Sequence, residues 1–394
     1  MDELAFLRLP DVRSFILANE HGDVQKLVLN PPKQYKDQIT LIADQIISRR
    51  KLKNKLPQWV ESVAILPPPL SAEQASSSET ARYKSEIFHG DHLVDLTGGA
   101  GVDTLSLSTR FRLTVYVEPN EWLCRLFEHN QKVFSDQPIA IHQTTAEQFL
   151  KSFNSTSAFF IDPSRRVDSQ KVFRLEDCVP NLSEILPILS IKGTEALIKL
   201  SPMIDISEAI RQLSYVKAVH VISIKNECKE VLFHLDFSRP IDSPPVICVN
   251  LNNDRKDLFQ FSLSGEKAAK AVYGNPGRYI YDANTSILKA GAFHSVATQF
   301  QLQKIAPNTH LYTSDDFIGS FPGRCFEVIE GELKPNAIKE LIPENKANII
   351  TKNYPMSSEA LSKKLKLKDG GSDFVIGFRT NDGKPKLVLC QRIY

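Results

Sequence analysis

The stretch His92-Leu-Val-Asp-Leu-Thr-Gly-Gly-Ala-Gly-Val-Asp-Thr-Leu-Ser-Leu-Ser108 holds an apolar run, a glycine-rich turn and the start of a helix, in that order. Leu93, Val94 and Leu96 suit a central strand, and Asp95 interrupts them near the strand's carboxyl end, where open α/β sheets hold their ligands. Gly98, Gly99 and Gly101 let the backbone turn tightly and approach a ligand without Cβ clashes. Asp103 to Ser108 then opens a helix whose N-terminus carries partial positive charge. The stretch predicts a nucleotide-type cofactor site at the end of a first Rossmann strand.

A dinucleotide fingerprint would need a third glycine where Thr104 stands, so the G-x-G-x-x-G pattern is not met. The acid ahead of the turn, Asp95, with Gly99 and Gly101, instead resembles motif I of the class I S-adenosylmethionine (SAM) methyltransferases. Thr97 occupies the place where many members of that family have their first glycine. SAM is cationic at its sulfonium and amino groups and carries no phosphate, which suits an acid beside a glycine turn better than a pyrophosphate would.

Three later strand ends follow in the order such a fold requires. Leu113 to Glu118 is a run of β-formers ending in an acid, the position from which a doubly wound site holds ribose hydroxyls. Ile139 to Gln143 runs into Thr144 to Phe149, similar to the family's adenine-edge segment, with Thr145 and Ala146 at its centre and Thr145 where an Asp is usual. Ala158 to Ile161 stops at Asp162-Pro163, where this family keeps a D-P-P or N-P-P catalytic loop. The resemblance implies SAM as cofactor, held by Asp95, Thr97, Gly98, Gly99, Gly101, Asp103, Glu118, Thr145, Ala146, Asp162 and Pro163, and no metal.

Composition agrees with an intracellular enzyme of several parts. The chain has 394 residues, 42% hydrophobic, enough for two or three packed cores. The start MDELAFLRLPDV is acidic and broken by Pro10, and no apolar run reaches membrane-spanning length, so a soluble, cytoplasmic protein without membrane association is expected. The six cysteines form no C-x-x-C pair, which indicates neither a zinc site nor a disulfide framework. A net charge of +2 gives no global electrostatic case for nucleic acid. Two local basic runs, Arg49 to Lys55 and Lys363 to Lys368, are open to two readings, a solvated helix face or a phosphate-contacting surface.

Residues 1–85 carry helical periodicity around Ile39, Ile42 and Ile46, then a break at Ile65-Leu-Pro-Pro-Pro-Leu70. Ser71 with Gln74 is suited to a capping box. Tyr83, just before the first Rossmann strand, can lean over a bound adenosine or substrate base, or pack its own helix. The α/β, Rossmann-like methyltransferase core is expected over 86–238, with strands near 194–200, 218–225 and 230–236. From about 239 onward, short β-rich segments interleaved with helical stretches such as 285–292, 336–341 and 357–366 predict small α+β units.

The runs D-L-T-G-G-A-G-V-D, D-P-S-R-R, Leu200-Ser-Pro-Met-Ile-Asp205, Lys225-Asn-Glu-Cys-Lys-Glu230 and Gly371-Ser-Asp-Phe-Val-Ile-Gly-Phe-Arg379 resemble bacterial class I methyltransferases with a C-terminal THUMP-like domain. That likeness spans nearly the whole chain and implies a small α+β (ferredoxin-like) domain over 239–320 and a THUMP-like domain over 321–394. It implies an RNA partner, tRNA or rRNA, presented to the core, with a nitrogen of a base as methyl acceptor. Protein partners are not indicated.

In such chemistry Asp162 is the candidate catalytic residue, accepting a hydrogen bond from a base N–H; the alternative is an Asx-type turn before Pro163. Arg165 and Arg166 stand where amino-methylating enzymes have a proline and an aromatic, and can grip phosphate, stack on a base, or pair on the protein's own surface. With Tyr83, Lys363, Lys364 and Arg379 they complete the substrate-binding candidates. No cysteine lies near the end of strand four or five in the sequence, which argues against a covalent C5-pyrimidine mechanism. The alternatives are a methyltransferase for a small molecule or protein, and a SAM- or RNA-binding protein without turnover.

Overall fold

A computed structural model describes residues 2–165, 174–252, 255–334, 337–342 and 344–393. The chain divides into two compact units, Met1–Leu200 with Ala209–Val216 and Phe233–Pro240, and the remainder from Ser201 to Tyr394.

In the first unit, helix Ile39–Leu52 buries Ile39, Ile42 and Ile46 at helical spacing, and they pack with Phe6, Val12, Ile16 and Tyr35 into one apolar cluster. Pro69 opens the next helix, Pro69–Gln74, with no side-chain cap, so Ser71 sits inside the first turn and the expected capping box does not form. Ser77 instead caps Ser78–Ile87, its hydroxyl accepting from Thr80 N. A parallel sheet follows: β1 (Gly90–Asp95), β2 (Phe111–Val117), β3 (Ala140–His142), β4 (Ser157–Ile161) and, after a two-stranded ladder of β5 (Ser164–Arg165) and β6 (Cys178–Val179), β7 (Gly193–Leu200). Its order is β7-β4-β1-β2-β3, all parallel. This is the half of a doubly wound sheet in which β1 lies at the crossover, so the carboxyl ends of β1, β2 and β4 face one crevice. On the far side of β7 lies the C-terminal half of β9 (Glu227–Asp236), beyond β8 (Val216–Ile224) in sequence; Phe237 N donates to Thr194 O at 3.1 Å.

In the second unit, β8 and the first half of β9 form a hairpin. Its two turn residues, Lys225 and Asn226, have φ of 48° and 65°, as a type I′ turn demands. β10 (Pro245–Asn252) pairs parallel with β8, and β11 (Arg255–Ser262) pairs antiparallel with β10. Beyond them stands a seven-stranded sheet of β12 (Tyr279–Ala283), β13 (Gln303–Ala306), β14 (Thr309–Ser314), β15 (Gly323–Glu330), β16 (Asn348–Lys352), β17 (Asp373–Arg379) and β18 (Pro385–Arg392). Its order is β13-β14-β12-β15-β18-β17-β16. Only β16 and β17 pair in parallel, which requires a crossover, and helix Ser358–Leu365 supplies it. The helix expected over 285–292 stops at Ala290, because Gly291 adopts φ +76° and caps it; a second helix, Phe293–Gln299, follows.

Candidate active site

The glycine turn is fixed from three sides. Leu96 N donates to Phe160 O at 3.0 Å and Gly98 N to Val117 O at 2.9 Å, so the turn leaves β1 still bonded towards β4 and β2. Beneath it, the rings of Tyr116 and Phe127 stack 4.0 Å apart. A Cβ on Gly98 would come within 2.2 Å of the Tyr116 ring, and one on Gly101 within 2.2 Å of Phe127. Packing therefore sets Gly98, backbone conformation sets Gly99 with φ +53°, and both set Gly101, whose φ is +79°. The Tyr116 hydroxyl donates to Gly99 O at 2.7 Å and closes the turn.

Asp95 borders the cleft but spends its carboxylate inside the turn. It is 1% exposed and accepts from Thr97 N at 3.0 Å and from the Thr104 hydroxyl at 2.5 Å. Burial pushes its carboxyl up to about 7, against the lowering effect of those two bonds. Its place is thus behind the backbone, organising the turn, rather than facing a cofactor charge as the sequence suggests. Thr97 has a use that a glycine could not serve: its hydroxyl accepts from Asp162 N at 2.7 Å and ties the turn to the end of β4. Glu118, at the end of β2, accepts from Gly99 N at 3.0 Å and from Asn120 N at 2.9 Å. Thr145 caps helix Ala146–Ser152, its hydroxyl accepting from Gln148 N.

These groups converge. A cleft of about 330 Å³ is lined by Asp95, Thr97, Gly98, Gly99, Gly101, Asp103, Glu118, Thr145, Ala146 and Asp162. That volume lies in the ordinary range of small-molecule sites, ~300–1,000 Å³. Pro163 follows Asp162 but does not line the cleft, while Ser164 does. Ser71, Gln74 and Ser76, from the segment ahead of β1, form part of the wall, although Ser71 and Gln74 read in the sequence only as a capping box.

The residues that sequence reasoning missed are two lysines. Lys199, in β7, pairs with Asp162 Oδ2 at 2.5 Å, donates to the Ser76 hydroxyl at 3.2 Å, and stands 3.7 Å from Asp103. Lys84, fully buried in helix Ser78–Ile87, pairs with the other oxygen of Asp103 at 3.2 Å and donates to Ser76 at 3.1 Å. Ser76 donates to Asp103 at 2.7 Å. Burial alone would raise the Asp103 carboxyl, but the charges of Lys84 and Lys199 overcome it and hold it below its ordinary value. The helix after the glycine turn and the end of β4 are thereby joined by one buried chain of charges.

The full chain aligns with the full chain of a crystal structure from Porphyromonas gingivalis W83, described as a "putative methyltransferase", at 30% identity and a TM-score of 0.86. This chain belongs to that family of methyltransferases. Its C-terminal part matches two family models, a ferredoxin-like domain over residues 279–322 and a THUMP domain-like segment over 323–392. The likeness to an rRNA methylase from Streptococcus thermophilus has 14% identity, covers 40% of this chain and 94% of that one, and has a TM-score of 0.31. That to M. capricolum TrmK with S-adenosyl-homocysteine has 12% identity, covers 42% and 70%, and also scores 0.31. Likenesses this low carry no argument about the family's chemistry. No curated protein matches the chain.

Within this methyltransferase the substrate-binding candidates belong to several elements. Tyr83 is 3% exposed and absent from the cleft wall, so it packs its helix, and burial raises its hydroxyl pKa. Arg165 belongs to β5, and Arg166 lies outside the described residues. Lys363 and Lys364 are exposed in the last turn of helix Ser358–Leu365, with Leu361 and Leu365 buried beneath. Arg379 ends β17 and donates to Gly383 O at 2.7 Å. Because the parallel crossover returns to the start of β17, the lysines and Arg379 lie at opposite ends of that strand, roughly 20 Å apart at about 3.3 Å per residue.

From Arg50 to Lys55 the basic run is paired within the protein. Arg50 donates to Glu20 O and Gly22 O, Lys51 pairs with Glu73 at 2.5 Å, Lys53 with Glu20 at 3.4 Å, and Lys55 donates to Glu73 O at 2.7 Å. Cys178, distant in sequence from the end of β4, is brought beside it by the β5–β6 ladder, opposite Arg165. Its side chain is buried, 3% exposed, and its thiol lies 3.7 Å from Arg174 O.

Proposed function

We propose that the protein is a class I SAM-dependent methyltransferase acting in the cytoplasm on a nitrogen of a base in structured RNA, tRNA or rRNA, presented by a THUMP-like domain over about 321–394. The observation that carries this reading is the shared cleft, in which the glycine turn and Glu118 face the same space as the Asp162 carboxylate. The donor set fits an adenosyl cofactor, with a carboxylate at the end of β2 for ribose hydroxyls and a turn free of side chains beside it.

When bound, SAM supplies a methyl group activated on a sulfonium sulfur. The chain's own residues orient the acceptor and take up its proton. Lys199 holds Asp162 Oδ2, Thr97 holds the Asp162 backbone, and among the described residues Oδ1 is left to accept an N–H from the acceptor. Ser76 and Asp103 anchor Lys199 from behind. Glu118 can accept ribose hydroxyls on the lone pairs not used by Gly99 and Asn120.

The RNA part of the reading has its own test. Changing Lys363, Lys364, Lys366 and Lys368 to Gln removes four exposed charges from one end of the THUMP-like segment. RNA affinity should fall about equally across sequences, and the salt dependence should flatten by roughly 0.7–0.9 for each phosphate no longer neutralised, with SAM affinity unchanged. Fluorescence titration at several salt concentrations reads both. An unchanged salt slope would remove these lysines from the RNA surface, and no binding of structured RNA at low salt would move a small molecule or a protein to the front as substrate.

A further inference from the structure

A second cavity, in the N-terminal helical part of the first unit, carries chemistry that the cofactor cleft does not use. It measures about 170 Å³ and lies among helices Pro10–Ala18 and Ile39–Leu52 and the segment from Glu61 to Ile65. Three guanidinium side chains, Arg8, Arg13 and Arg49, line it against one carboxylate, Glu61. Arg13 spends one donor on Ser62 O at 3.3 Å. The Arg49 side chain is 16% exposed, and its buried Nε has no hydrogen-bond partner among the described residues. Its nearest carboxylate, Glu20, is 3.6 Å away and is shared with Lys53.

His129 marks the same surplus of positive charge. It is hydrogen-bonded to the backbone of Val63 in the cavity wall, and its Nε2 is buried without a partner among the described residues. Burial first, and then the charge of Arg8, hold the imidazole below its ordinary value. Three guanidiniums around one cavity repel each other and keep donors unspent, which an anion would relieve.

Size decides which anion. About 170 Å³ is below the ~300 Å³ at which sites for drug-sized molecules begin, so a nucleoside is too large and a single phosphate group is not. We propose that this cavity is a phosphate subsite in which Arg8, Arg13 and Arg49 supply the donors. The phosphate is either a free ion or one phosphodiester of a bound RNA strand, and the two sources share this chemistry.

Calorimetry on the full chain at constant ionic strength separates them, with inorganic phosphate and a short RNA oligonucleotide as probes. Arg8→Met and Arg13→Met keep the aliphatic stems and remove the charge. Arg8 is exposed and makes no side-chain hydrogen bond or ion pair among the described residues, so Arg8→Met leaves the fold intact and keeps the test decisive if Arg13→Met misfolds. Inorganic phosphate should bind the unaltered protein and bind the variants roughly tenfold or more weakly, as expected when a charge-assisted bond is removed. If only the oligonucleotide binds, and the variants weaken it by that factor, the source is the RNA backbone. Binding of neither probe, or equal binding to the unaltered protein and Arg8→Met, overturns the proposal. None of these readouts depends on methyl transfer, so the proposed activity can fail while the subsite stands.

Discussion

Asp162→Ala should lower methyl transfer to RNA by roughly a hundredfold while SAM affinity stays within a few-fold. The size follows from what a positioned proton acceptor contributes, about 10²–10⁴ in rate. Separating rate from binding follows from the geometry, since Asp162 stands at the end of β4 and the groups suited to the adenosyl part, Glu118 and the glycine turn, belong to β2 and β1. Lys199 keeps Ser76 and Asp103 as partners in the variant, so the fold is expected to survive. Asp162→Asn should be nearly as slow, because the amide keeps the shape but loses the charge that Lys199 pairs with. The assay is transfer of labelled methyl from SAM to RNA from a strain lacking the protein. Unchanged turnover in Asp162→Ala would reduce the residue to a turn former before Pro163.

The second large effect concerns stability. Lys84→Met removes an ammonium that is fully buried between Asp103 and Ser76, and leaves Asp103 with Lys199 alone as its cationic partner. Breaking a buried pair by removing one partner costs about 3–5 kcal/mol, and the remaining lysine places the expected loss near the lower end, about 3 kcal/mol. Adding Asp103→Leu should recover most of it, since an apolar pair of similar volume is often neutral or better. Because the Asp103 carboxyl is held below its ordinary value, its contribution is present at neutral pH and is lost as pH falls below the ordinary carboxylate range, through the folded-state value. Midpoints of urea unfolding for the single and double variants decide it. A double variant no more stable than Lys84→Met would show that the pair is not what the lysine supports.

Much of the site is legible in the sequence because it is built from local signals. Asp95 to Asp103, Glu118 and Asp162-Pro163 each sit where an apolar run meets a turn, and chain order alone puts those strand ends on one edge of the sheet. The lysines are not legible in this way. Lys199 lies in Ala196-Leu-Ile-Lys-Leu200, where one charge in a buried run is the only signal, and its partners Ser76, Asp103 and Asp162 come from distant segments. Nothing in local periodicity says that a lysine is buried against a carboxylate so far away in sequence.

The same limit explains the rest. Strands β10 and β11 look like any short strands between turns, and only their pairing with β8 and with each other shows where they lie. The run from Arg50 to Lys55 gives no hint of Glu20 and Glu73, the acids it pairs with. Tyr83 is open between two roles in the sequence because a tyrosine before a cofactor strand suits either, and its burial selects packing.

The central claim is that the cleft formed by the glycine turn, Glu118 and Asp162 is a SAM site. Calorimetry of the full chain with SAM, S-adenosylhomocysteine and NAD tests it most directly, with Glu118→Ala measured alongside. SAM and its product should bind and NAD should not, and Glu118→Ala should weaken SAM by about 1–3 kcal/mol, the cost of leaving a buried polar partner unpaired. Tight binding of NAD without SAM, or SAM affinity indifferent to Glu118→Ala, would contradict the assignment.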